Sequence, residues 1–91
     1  MVRVRLESNF DLGRDSLELP EQAATLKQLL AALGQLQQPA VDFLDRLTGD
    51  VDDLFLVTIN GREYKDMPGR LTLPLKDGDK VRIEVVILGG G

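Results

Sequence analysis

The sequence predicts an α+β domain in which a mixed sheet of about five strands carries one main helix and a short second helix. Three observations lead there. Val2, Val4 and Leu6 alternate with Arg3 and Arg5, the period-two signature of a strand with one buried face. Leu26, Leu29, Leu30 and Leu33 recur at i, i+3, i+4 and i+7, which puts four leucines on one face of a helix. Val81, Ile83, Val85 and Ile87 alternate again near the other end of the chain. Half-buried strands at both ends with an amphipathic helix between them are satisfied most economically by two layers around one core.

The elements follow in order. After the first strand, the turn-rich stretch Ser8 to Arg14 leads to Leu17-Glu18-Leu19, and the two apolar alternations read as a hairpin. Thr25 is placed to cap the leucine helix, whose end Gly34 and Pro39 blur. A weaker helical pattern through Val41, Leu44 and Leu47 stops at Gly49, and the acidic Asp50-Val51-Asp52-Asp53 leads out as a loop. Residues 54–59 (LFLVTI) form a dense apolar strand. Asn60-Gly61 then supplies the positive φ angles of a tight hairpin, with a short return strand through Glu63 and Tyr64. Beyond Pro68-Gly69 come Leu71, Leu73 and Leu75 on alternate positions, then the turn Lys76-Asp77-Gly78-Asp79, then the last strand from Val81 to about Leu88. Residues 1–88 make the domain and 89–91 a flexible glycine tail.

Composition narrows the chemistry. Ninety-one residues with 43% hydrophobic content support one modest core and leave little area for a deep enzyme cleft. The chain has no cysteine and no histidine, which removes thiol nucleophiles, disulfides, Ser-His and Cys-His pairs and the usual zinc ligands. A formal charge of −4 with scattered aromatic residues offers neither a phosphate-binding stripe nor a base-stacking platform, so nucleic acid is not an expected partner. Nor is a membrane. The start lacks the apolar core of a signal peptide and no stretch approaches spanning length, so the expectation is a cytoplasmic protein. Asp50, Asp52 and Asp53 lack the glycine and distal glutamate of a calcium loop. Asp77 and Asp79 flank a turn glycine, and turn chemistry explains them better than a hydrolase pair does. Expected metals and bound cofactors are therefore none.

The chain finishes Ile87-Leu88-Gly89-Gly90-Gly91, where an apolar strand gives way to residues with no side chain to bury. This tail, the element order, and Leu71-x-Leu73-x-Leu75-Lys76-Asp77-Gly78-Asp79-x-Val81-x-Ile83 together resemble the ubiquitin-like β-grasp proteins. More narrowly, the chain is similar to the MoaD/ThiS sulfur-carrier family, which includes the small subunit of molybdopterin synthase. The resemblance runs from Val2-Arg3-Val4-Arg5-Leu6 through Thr25-Leu26-Lys27-Gln28-Leu29-Leu30 and Thr58-Ile59-Asn60-Gly61 to the glycines.

The resemblance implies a carrier rather than an enzyme. An E1-like enzyme uses ATP to adenylate the C-terminal carboxylate, here that of Gly91 with Gly90 before it, and sulfur then replaces AMP to give a thiocarboxylate. A sulfur-accepting synthase large subunit, or its equivalent in a related pathway, is the second implied partner. Glycine suits such a tail because it passes a narrow channel with no Cβ and with φ of either sign. Two departures bear on the pathway. Molybdopterin synthase small subunits carry Pro-Pro where this chain has Val85-Val86, and Phe10 to Arg14 does not reproduce their Arg-Glu stretch. A third glycine also leaves open whether Gly90 or Gly91 is the acceptor, with Gly91 favoured.

Strand alternation places Leu56, Val86, Leu88, Arg82 and Glu84 on the face away from the helix. Leu56, Val86 and Leu88 are then expected to form an apolar patch rimmed by Arg3, Arg5 and Arg82, docking the partner while Gly89, Gly90 and Gly91 are taken in. Two alternatives stand beside the sulfur carrier: a ubiquitin-like modifier that ends in an isopeptide bond, and an interaction module whose glycines are only a frayed end.

Overall fold

The computed structural model describes residues 1–86. It comprises β1 (Val2–Ser8), β2 (Ser16–Leu19), α1 (Leu26–Leu36), β3 (Phe55–Ile59), β4 (Arg62–Glu63) and β5 (Lys80–Val85), with 3-10 turns at Glu21–Ala23, Tyr64–Asp66 and Arg70–Thr72. The sheet order is β2-β1-β5-β3-β4. β1 and β5 run parallel at its centre, with Leu6 beside Val81, while β1–β2, β3–β4 and β3–β5 are antiparallel. The expected α+β architecture is present. Ile87 and Leu88, to which the sequence extends the last strand, and the boundary at residue 88 lie outside the described residues.

One face of the sheet meets the helix. Val4, Leu6, Val57, Ile59, Val81 and Ile83 are buried against Leu26, Leu29, Leu30 and Leu33 of α1, and no polar or charged residue is buried among those described. At about 1.5–3 kcal/mol for each fully buried aliphatic side chain, this layer is what offsets the chain's ordering entropy. Thr25 caps α1 as expected, its hydroxyl accepting from the Gln28 N–H at 3.2 Å. The helix is also tied at its start by the Leu26 N–H to the Leu73 carbonyl, and Leu75 N–H donates to Ala24. The alternating Leu71, Leu73 and Leu75 thus line the helix N-terminus through a 3-10 turn and an isolated bridge, Thr25 to Pro74, and not through a strand.

Two expectations are corrected. The short second helix at residues 41–47 does not form. Phe43 is drawn into the core against Phe55, ring centroids 4.9 Å apart and edge to face, and Leu44 bridges Val51, so the segment becomes a looped hairpin. Asp45 caps its tip, accepting from the Leu47 and Thr48 N–H groups. Gly34, read as blurring the helix end, is instead inside α1, which runs on to Leu36. It is needed there because the returning chain crosses it: Val41 N–H donates to the Gly34 carbonyl at 3.0 Å. A Cβ on Gly34 would collide with the Val41 carbonyl oxygen.

Candidate functional site

The last strand enters and leaves the sheet under tight hydrogen-bond control. At its start, Asn60 (φ 51°) and Gly61 (φ 86°) make the predicted left-handed turn. Asn60 Oδ1 accepts from the Lys80 N–H at 3.0 Å, and its Nδ2 donates to Asp79. The carboxylates of the Asp77-Gly78-Asp79 turn are engaged by backbone N–H groups, one on β1 and one within the turn. Asp77 accepts from the Arg3 N–H at 2.9 Å and Asp79 from the Lys76 N–H at 2.8 Å. At the other end, Val85 N–H donates to Asn9 Oδ1 at 2.8 Å and Val86 N–H donates to the Leu54 carbonyl at 2.8 Å. Val86 is thereby held beside Leu54, just ahead of β3.

Leu56 and Val86 line one cleft there, of about 190 Å³, together with Phe55, Tyr64, Asp52 and Glu63. Both are half-buried. Tyr64 contributes a buried hydroxyl that finds no hydrogen-bond partner among the described residues. Leu54, 56% exposed and joined to Val86 by that backbone hydrogen bond, extends the apolar strip. Its outward position follows from the same alternation as that of Leu56 and is legible in the sequence. Asn9 is not, because nothing local in a sequence points 76 residues ahead.

The expected basic rim is not where the alternation put it. Arg3 and Arg5 lie on β1, with β5 between them and β3, and line a separate polar hollow with Asp15, Ser16 and Asp77. Arg82 shares the outer face but its guanidinium bonds Glu84 and, at 3.4 Å, Glu7. Glu84, then Glu7, hold Arg82 above its ordinary pKa, and Lys80, then Arg82, hold the Glu7 carboxyl below its ordinary value. The charged residues that line the cleft with Leu56 and Val86 are Asp52, Asp53, Glu63 and Lys65, and Glu84 stands opposite Leu56 in the β3–β5 ladder. The remaining proposed residues, Leu88, Gly89, Gly90 and Gly91, lie outside the described residues. Among the described residues, no three His, Cys, Asp or Glu side chains converge to hold a metal, and no helix is long and apolar enough to cross a membrane.

No family model matches the chain. A candidate sulfur carrier protein of Archaeoglobus fulgidus is 27% identical over 89 residues, covering 98% of each chain. Among solved structures, the HVO 2177 protein of Haloferax volcanii superposes with a TM-score of 0.73 at 24% identity, over 98% of this chain and 87% of that one. SAMP1 of Haloferax volcanii gives 0.70 at 21% identity, over 97% and 99%. Urm1 of Trypanosoma brucei gives 0.64 at 21% identity, over 97% and 95%. The chain has the ubiquitin-like β-grasp fold, and the resemblance to sulfur carriers drawn from its sequence is borne out by a relative matched over 98% of each chain.

Proposed function

We propose that this protein is a sulfur carrier whose C-terminal glycine carboxylate is the reacting group, and not a catalyst. The observation that carries this is the conjunction of a β-grasp body, a sulfur-carrier relative matched over 98% of each chain and the glycine run Gly89-Gly90-Gly91 that follows the last apolar segment. The described part of the body presents little that could catalyse: its acidic turn residues bond backbone N–H groups, and its most engaged charges, Glu7 and Glu84 with Lys80 and Arg82, pair with one another at the surface.

The chemistry required of the chain is simple. A carboxylate is a poor electrophile. When a Gly91 oxygen attacks the α-phosphate of ATP on an E1-like enzyme, pyrophosphate leaves and an acyl adenylate forms. Hydrosulfide attacks the acyl carbon and AMP leaves, giving a thiocarboxylate directly; where a persulfide attacks instead, the acyl disulfide so formed is cleaved by a thiol, which departs as a mixed disulfide with the donor. The thiocarboxylate is an anionic nucleophile at neutral pH that needs no base or metal from the carrier. The thiocarboxylate sulfur attacks the acceptor to form a thioester, and water cleaves it to leave the sulfur on the acceptor and regenerate the carboxylate. Molybdopterin synthesis is one pathway of this kind. Leu54, Leu56 and Val86 form the surface on which the activating enzyme or the acceptor docks.

Intact mass after incubation with the cognate activating enzyme, ATP and a sulfur donor tests the proposal. The expected product gains one sulfur in place of one oxygen. Adducts linked to a lysine of another protein would make the chain a modifier instead, and an unaltered mass would leave it an interaction module.

A further inference from the structure

The end of the last strand is gripped by an amide that is not backbone. Pairing between β1 and β5 stops at Ser8 and Ile83. Asn9 then turns its side chain onto the next stretch of β5: Oδ1 accepts from the Val85 N–H at 2.8 Å, and Nδ2 donates to the Val85 carbonyl at 3.1 Å. A carboxamide offers an acceptor and a donor in one plane, so this pair reproduces what a neighbouring strand residue supplies in a ladder. The presentation of Asn9 is itself built. The Ser8 hydroxyl donates to the Phe10 carbonyl and closes the bend, and the Phe10 ring packs on Phe55, which is the strand partner of Val85. With Asn60 holding the Lys80 N–H, β5 has an asparagine at each end.

We propose that Asn9 is a positioning residue for the C-terminal transfer reaction: by pinning Val85 it fixes the point at which the chain leaves the sheet. This rests on the reading that the terminal carboxylate reacts. The N–H groups of both Val85 and Val86 are engaged, Val85 with Asn9 and Val86 with Leu54, so proline, which has no N–H, would undo the hold at either position.

Five residues, 87–91, follow Val86 and span at most about 17 Å when extended. Releasing Val85 and Val86 from these hydrogen bonds leaves two residues that the activating enzyme has to order before chemistry. That cost falls on binding and leaves the reaction at the carboxylate untouched.

Asn9→Ala tests this, with Asn60→Gly as a matched control that removes the grip at the opposite end while tolerating the positive φ there. In Asn9→Ala, amide hydrogen exchange at Val85 and Val86 should accelerate by roughly tenfold, a modest factor because Asn9 is exposed to water. In pyrophosphate exchange by the cognate activating enzyme, KM for the carrier should rise about fivefold with kcat within about twofold. Asn60→Gly should change neither the exchange at Val85 nor KM. Asn9→Asp, which keeps the acceptor and loses the donor, should fall between wild type and Asn9→Ala. Unchanged exchange at Val85, or a KM equal in Asn9→Ala and wild type, overturns the inference alone. A wild-type chain that is never activated overturns the carrier reading and the inference with it.

Discussion

The two faces of the sheet differ in what they are made to do. On the helix side, Val4, Leu6, Val57, Ile59, Val81 and Ile83 interlock with the leucines of α1, and every one of them is buried. On the other side, Arg5, Glu7, Lys80, Arg82 and Glu84 cover β1 and β5, and toward β3 the charges give way to Leu54, Leu56 and Val86. β5 belongs to both, since alternate residues of one strand point to opposite faces. Stability therefore resides on one face and the proposed recognition surface on the other, and the strand that joins them is the one that leads to the glycines.

Substitutions that separate the two roles sharpen this contrast. The largest effect belongs to removal of Gly90 and Gly91: activation by the cognate enzyme should fall below detection while the urea midpoint stays at the wild-type value. A truncated chain that is still activated would dissolve the division. Next is Gly34→Ala, on the stability side. The added methyl meets the Val41 carbonyl, so despite alanine's better helix propensity the change should cost about 2–3 kcal/mol in urea unfolding, with the tail chemistry of the remaining folded protein unaltered. Val86→Asp belongs to the recognition side. It should weaken binding to the activating enzyme or acceptor by roughly tenfold or more, measured by calorimetry, and shift unfolding by less than about 1 kcal/mol because the side chain is only half-buried.

The smallest effect concerns the charged part of the outer face. Glu7 has its pKa lowered by Lys80, then by Arg82, below an ordinary 4.5. A carboxyl depressed on folding adds stability above its unfolded pKa and loses it as pH falls through the folded one. Glu7→Gln should therefore be slightly less stable than wild type at neutral pH, and the difference should vanish as the pH falls through the lowered, folded-state pKa of Glu7. Both partners are solvent-exposed, which keeps the effect small and lost in high salt.

The fold was legible where side chains repeat with a clear period. The alternation of Val2 to Leu6, the leucines of α1 with Thr25 ahead of them, and Asn60-Gly61 each specify a local structure through physics confined to a few residues. Legibility failed where distant backbone decides. The spacing of Val41, Leu44 and Leu47 suits a helix, but burial of Phe43 against Phe55 wins and the segment becomes a hairpin. Gly34 resembles a helix stop, yet its function is to let residue 41 pass closely. The outer apolar strip was half readable. Alternation placed Leu56 and Val86 correctly relative to each other but could not give strand order, so Arg3 and Arg5 were assigned to a rim that β5 separates from them. Asn9 could not have been found at all, because its partner is set only by the parallel register of β1 and β5.

The most direct test is to locate the modification itself. After activation with ATP and a sulfur donor, fragment mass spectrometry should find sulfur in place of oxygen on the peptide that ends in the final glycine, and nowhere else. Sulfur, or a covalent partner, carried by a side chain of residues 1–86 with the final carboxylate unchanged would contradict the account at its centre.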